Sequence, residues 1–245
     1  KHFKPITKKD LKWFSITMLC TLFTQAPLYF AYNRLDLGTA TLICYAFFLI
    51  TSYFVGWLFL KEKMTTIKIL SCVLAFIGLL ITFGLSFSAF SIPAMLLSAL
   101  NGIAGGGEIA TSKKSTHRYS SLQIIAYSWI FILATHYPLS IIIGEQQITP
   151  AFNIEWLAML GYALSGLLGF WLIVEGFKHI DASIGSLIGL LEIPLSIIFG
   201  FILFNDPLTL SIFAGGSLII LSVILPDLYA LKNRKNEPTP TPLPH

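Results

Sequence analysis

Two of the 12 acidic residues in this 245-residue chain stand where water is scarce. Glu192 lies deep inside an apolar run from Ser183 to Phe204, and Glu108 sits about one turn inside the end of another, directly after Gly105-Gly106-Gly107. A charged side chain at the centre of a membrane helix costs about 2.5 to 3.5 kcal/mol on insertion scales. Such a group persists only with a hydrogen-bonding partner or a wet cavity beside it. A carboxylate reached alternately from two sides can take up and release a proton, which is the chemistry of ion coupling. Glu192 is the first candidate for that task, and the competing reading is a hydrogen-bonded tie between helices. Pro194, two residues on, frees a backbone carbonyl and can bend the helix beside the carboxylate.

Other polar groups in apolar runs extend the set. Asn101, Gly102, Gly105 and Glu108 share one helical stripe, which can line a cavity or serve tight packing with a snorkelling Glu108. His136 precedes Tyr137-Pro138 and can relay protons or meet a substrate carboxylate, or it can simply be hydrogen-bonded beside a Pro kink. Gln25 and Pro27 form a similar polar kink. Tyr45, Trp129, Tyr162 and Trp171 are candidate wall aromatics, since flat rings hold organic solutes by stacking and cation–π contact. Gly185, Gly189, Ile193, Ser196 and Gly200 make a small-residue stripe for close helix packing. Thr41, Tyr45, Leu49, Ser52 and Gly56 are its counterpart. Glu175 is expected to pair with Lys178 and to take no part in binding.

No Gly-x-Ser-x-Gly elbow, His-Glu-x-x-His pair, phosphate loop or paired CxxC is present, so neither catalysis nor a cofactor or metal is indicated. Cys20, Cys44 and Cys72 all lie in apolar runs and read as packing residues.

The elements that must position these groups follow from composition. The chain is 55% hydrophobic and 11% charged, with mean hydropathy +0.77, which describes a polytopic membrane protein and excludes a water-soluble globule. Eight apolar windows predict all-α architecture with spans at Leu11–Tyr32, Leu37–Leu60, Ile67–Phe83, Ile92–Thr111, Leu122–Ile143, Trp156–Phe177, Ser183–Phe204 and Leu208–Tyr229. All of the 16 Lys and Arg except Arg34 fall at or before the start of the first span, in alternate loops or the first residues after them, or after the last span. That asymmetry predicts both ends of the chain on the cytoplasmic side of a plasma or bacterial inner membrane. Such scattered basic residues are topological signals and argue against nucleic-acid binding. The Pro- and Thr-rich end, 232–245, reads as a disordered tail.

Shifting residues 37–65 forward by 144 places them on 181–209, with Ser52 on Ser196, Gly56 on Gly200, Thr65 on Thr209 and Glu62 on Asp206. Lys61, Lys63 and Lys68 fall on Asn205, Pro207 and Ile212. A basic hairpin matched to one without Lys or Arg is the pattern of an inverted-topology repeat. An odd number of helices per repeat then divides the chain into 1–90, the last three helices of a first repeat, and 91–231, a complete five-helix second repeat. The expectation is a ten-helix protein of which the first two helices precede Lys1.

The stretch Tyr32-Asn33-Arg34-Leu35-Asp36-Leu37-Gly38-Thr39-Ala40, then Leu60-Lys61-Glu62-Lys63-Met64-Thr65 and a helix through Gly78, resembles the hairpin of the EamA-like branch of the drug/metabolite transporter superfamily. The second copy supplies Ile180-Asp181-Ala182-Ser183, Leu190-Leu191-Glu192-Ile193-Pro194 and Phe204-Asn205-Asp206-Pro207-Leu208-Thr209. Ile193 here separates an acidic residue and a proline that are often adjacent in that family, and Asn205-Asp206 stands where Gly-Glu is usual. The resemblance implies ten helices in two inverted halves and transport of metabolites such as amino acids or nucleotide-like compounds.

The function expected is secondary transport of a small organic solute by alternating access, with the bilayer and the solute as partners and protons as the candidate coupling ion. The alternative is an intramembrane enzyme or a non-transporting scaffold. No helix centre carries a Lys or Arg pair, which disfavours sugar-phosphate substrates.

Overall fold

The computed structural model describes residues 3–84 and 91–235. The Pro-rich end 236–245 lies outside the described residues. Every regular element among those described is α-helical: α1 (Lys8–Leu22), α2 (Ala26–Tyr32), α3 (Leu37–Leu58), α4 (Thr66–Phe83), α5 (Ile92–Thr116), α6 (Ser121–Ile142), α7 (Ile154–Gly176), α8 (Ala182–Gly189), α9 (Glu192–Phe204) and α10 (Leu210–Lys235). The eight expected spans are present, but the first is divided into α1 and α2 and the seventh into α8 and α9.

Both divisions fall where a proline removes a backbone donor. Pro27 cannot donate to the Phe23 carbonyl, and the chain around it tightens so that the Phe23 amide donates to Cys20 and the Thr24 amide to Thr21. Pro194 likewise cannot donate to the Leu190 carbonyl, which instead receives the Ile193 amide at 3.0 Å, while the Leu190 and Leu191 amides donate to Leu187 and Ile188. Pro138 lies inside α6, which nevertheless remains one helix. α6 and α7 begin at side-chain caps, Ser120 accepting from the Gln123 amide and Asn153 from the Trp156 amide.

Seven helical stretches among the described residues are long and apolar enough to cross a bilayer, counting α1 with α2 and α8 with α9 as single spans. The remaining expected span, the fourth, is α5, which falls short of that standard. It carries Asn101, Glu108 and four glycines, and it packs against α1, α2, α3, α6 and α7. Its polar residues lie on faces packed against those helices, while Ile92, Leu96 and Ile103 remain exposed.

The chain divides into two compact units. One holds α1–α3, α5–α7 and the start of α8; the other holds α4, the last residues of α8, α9 and α10. In the first, α5 lies against α3 through Gly102 and Gly106. A Cβ at Gly102 would run into the Cys44 carbonyl and the Phe48 amide, and one at Gly106 into the Phe48 carbonyl. In the second unit, α4 and α10 meet at Gly78 and Gly215, where a Cβ on either would strike the other's carbonyl oxygen.

The stripe expected from Gly56, Gly185 and Gly200 does not serve helix–helix approach. The space at Gly56 is taken by the Glu62 carboxylate, that at Gly200 by the Asp206 carboxylate and that at Gly185 by the Phe177 ring. In each case the missing Cβ admits a side chain from a neighbouring turn. Gly189 is the last residue of α8, at the helix division.

Replacing Gly102 by Val is expected to lower the thermal unfolding midpoint in detergent, since the new side chain meets backbone that cannot move aside. Overpacking of this kind costs about 1–3 kcal/mol. Gly161→Ala, where the added methyl meets nothing within 4 Å, should leave the midpoint unchanged or raised. Equal midpoints for the two variants would refute the close α3–α5 contact.

Candidate functional site

The face of α5 turned to α1 carries a run of buried polar groups. The Asn101 amide nitrogen donates to the Phe23 carbonyl at 3.2 Å, and its oxygen accepts from the Cys44 thiol at 3.1 Å. The carbonyl left without a donor by Pro27 therefore recovers one from a side chain of another helix. About two turns further along α5, Glu108 accepts from the Thr21 hydroxyl at 2.5 Å. Thr111 then lies 3.0 Å from Thr17, hydroxyl to hydroxyl. Asn101, Glu108, Thr111, Thr17 and Thr21 are all buried. No cation is paired with Glu108 among the described ion pairs. A carboxyl enclosed this way, with a hydroxyl as its hydrogen-bonding partner, is suited to carrying a proton. It is therefore held inside the protein, contrary to the snorkelling alternative.

A second feature opens beside the α1–α2 division. A cavity of about 330 Å³ is lined by Gln25, Ala26, Tyr29, Phe30 and Asn33 on one side and by His136, Leu139, Ser140, Ile143 and Glu145 on the other. Gln25 and His136, far apart in sequence, thus meet at one site. The His136 Nδ1 lies 3.2 Å from the Ile132 carbonyl and 3.1 Å from the Thr135 hydroxyl. Its Nε2 is buried without a protein partner among the described residues. Tyr162 joins this neighbourhood, its hydroxyl beside that of Tyr29.

The remaining candidates are dispersed. Glu192 opens α9 with an exposed side chain, in the unit that does not contain Glu108, and Pro194 is buried two residues on. Trp129 packs against the cluster of Phe14, Tyr119, Ile124, Ile125 and Val174. Tyr45 is half-buried and meets Phe48 edge-on. Trp171 is exposed on α7. Glu175 accepts from Lys178 at 2.7 Å and from Ser121 at 2.6 Å, the pairing its position implied.

One engaged residue was not among the candidates. Glu62, at the turn after α3, is buried and caps the start of α8. Its carboxylate accepts from the Ala182 amide at 2.6 Å, the Ser183 amide at 3.2 Å and the Ser183 hydroxyl at 3.0 Å. Lys113 reaches the same carboxylate at 3.1 Å and donates to the Ile180 carbonyl at 2.6 Å. An anion on orphan amides at a helix N-terminus gains both hydrogen bonds and dipole. The turn that aims it recurs 144 residues later. Lys61 and Asn205 adopt positive φ of 57° and 56°. The Glu62 amide donates to the Gly56 carbonyl at 3.0 Å, and the Asp206 amide donates to that of Gly200 at 3.3 Å.

The model of the EamA-like transporter family matches residues 92–226, more than half of the chain. The chain belongs to the EamA-like transporter family. This EamA-like chain is a multi-pass membrane protein. It is 28% identical to an S-adenosylmethionine uptake transporter of Rickettsia conorii over 81% of its own length and 66% of that protein's. It is 27% identical to YvbV of Bacillus subtilis, named an uncharacterized transporter, over 69% of this chain and 56% of the relative. A riboflavin transporter of Vibrio cholerae is 22% identical over 74% and 59%. The chain thus spans 56 to 66% of the length of these relatives. A solved crystal structure superposes with a TM-score of 0.74 at 16% identity, covering 92% of this chain and 80% of that one, which is a likeness of fold.

Glu62→Ala should destabilise the start of α8, since hydrogen bonds to a charged group contribute about 1.5–3 kcal/mol each. In a double-mutant cycle with Ser183→Ala, measured by thermal unfolding in detergent, the two losses should be non-additive. Additive losses would show that the two side chains do not act together.

Proposed function

We propose that this EamA-like chain acts in secondary transport, moving a small organic metabolite such as an amino acid or nucleotide-like compound across the membrane by alternating access. The observation that carries the reading is the polar seam on α5. Asn101, Glu108 and Thr111 are buried against a divided helix, an arrangement costly in hydrocarbon and characteristic of sites that handle solutes or ions. The relatives named as transporters of riboflavin and of S-adenosylmethionine support a metabolite of that size and kind. Glu108 is the proton carrier. The basic loops support cytoplasmic placement of both ends of this chain, in a plasma or bacterial inner membrane.

We further take residues 37–65 and 181–209 as corresponding hairpins of two inverted halves, 1–90 and 91–231. Support comes from the shared turn at Lys61-Glu62 and Asn205-Asp206. Single cysteines at Lys61 and Asn205 should be labelled by an impermeant maleimide from opposite compartments. Labelling of both from one side would end the inverted-repeat reading.

The coupling role is tested in proteoliposomes with an imposed pH gradient. Glu108→Gln keeps a hydrogen-bonding side chain but cannot ionise. It should reduce gradient-driven accumulation of a transported metabolite at least tenfold while leaving solute exchange without a gradient within about twofold, which separates coupling from binding. Undiminished accumulation by the variant would remove Glu108 from the proton path. Absence of flux by the intact protein for all metabolites of this class would sink the transport reading.

A further inference from the structure

We infer that the cavity between α2 and the end of α6 accepts a flat-ringed organic cation, such as an aromatic amine, and rejects solutes whose charge is a phosphate or carboxylate. The inference rests on the transport reading only for what becomes of the solute after it binds. Four features of the lining lead to it.

The charge balance comes first. Among the ten lining residues Glu145 is a carboxylate, and neither Lys nor Arg is present. Anion recognition in a partly desolvated site calls for cationic donors, typically a guanidinium fork or a lysine. Here an incoming phosphate would meet a like charge instead.

The hydrogen-bonding inventory points the same way. Nδ1 of His136 lies 3.2 Å from the Ile132 carbonyl, and in the tautomer that donates there Nε2 is an acceptor; that atom is buried without a protein partner among the described residues. Ser140 spends its own hydrogen on the Tyr137 carbonyl at 2.8 Å, so its oxygen is an acceptor toward the cavity and toward Gln147. An N–H-bearing solute supplies the donor that His136 Nε2 lacks, and an unsatisfied buried acceptor costs about 1–3 kcal/mol.

Shape and rings complete the selection. Tyr29 and Phe30 occupy consecutive positions on α2, with Tyr29 held edge-on to Tyr32 at 6.4 Å. Two rings beside a carboxylate suit a cation with a planar body, through ring stacking and cation–π attraction. The amides of Gln25 and Asn33, at the two ends of α2, can bond either edge of a heterocycle. At about 330 Å³ the space lies at the small end of ligand pockets, which run from about 300 Å³ upward, so one or two fused rings with a short side chain fit.

The test uses the purified full chain and two indoles of matched size and opposite charge, tryptamine and indole-3-propionate, with affinities read by isothermal titration calorimetry. Tryptamine should bind at least tenfold more tightly, and Glu145→Gln should abolish that preference. Tyr29→Leu should weaken both ligands while preserving their order. Glu145 is exposed beyond the end of α6 and meets Ser140 through its backbone amide, so the Gln variant is expected to fold, and its circular dichroism provides the check. Equal binding, tighter binding of indole-3-propionate, no binding of tryptamine, or a preference that survives Glu145→Gln would each overturn the assignment. Should the preference hold while no metabolite flux occurs in proteoliposomes, the transport reading falls and the site stands. Should flux occur without tryptamine binding or competing, the site falls and transport stands.

Discussion

In hydrocarbon every backbone carbonyl must find its donor within the protein, and the hydrogen bond from Asn101 to Phe23 meets that requirement at the point where it is hardest to meet. Pro27 removes the donor that an unbroken helix would have supplied. An apolar residue at 101 would leave a bare carbonyl facing the inside of the unit. With the amide in place, α1 can stop and α2 can start without leaving the Phe23 carbonyl unsatisfied. The division in turn presents Gln25 and Tyr29 to the cavity shared with His136. Close packing of α5 on α3 through Gly102 and Gly106 fixes the helix that carries Asn101, so the position of the whole polar seam depends on contacts made by residues without side chains.

The seam also shows how one helix serves two neighbours. Gly102 and Gly106, four apart, face α3; Glu108 and Thr111, three apart, face α1. Glycine allows the first face to come within backbone contact, while the second is spaced by side chains long enough to bond across. Since α5 packs its polar faces against five other helices, it carries a composition that a helix facing lipid all round could not tolerate.

Much of this was legible in the chain itself. The spans follow from runs of apolar residues, because the bilayer sets their length, and the two helix divisions were signalled by Pro27 and Pro194. The stripe of Asn101, Gly102, Gly105 and Glu108 was visible from helical periodicity, although periodicity could not tell which neighbour each side chain would meet. Thr17 and Thr21, four apart on α1, were the available sign of a polar partner for Glu108, but threonines in membrane helices bond their own backbone so often that spacing alone carries little information. Gly56 and Gly200 were misread for a physical reason: a glycine makes room without specifying what fills it. Glu62 gave no local sign of burial, because the amides it caps lie 120 residues further on.

That long separation has a consequence for biosynthesis. Glu62 leaves the ribosome well before Ala182 and Ser183 exist, so for the translation of 120 residues its carboxylate has no helix to cap. The local turn, with Lys61 in the left-handed conformation and the Glu62 amide bonded to the Gly56 carbonyl, needs only residues already made. The recess at Gly56 therefore acts as a holster, keeping the acid aimed while α4 through α7 are inserted, and the incoming start of α8 docks onto a group already in position.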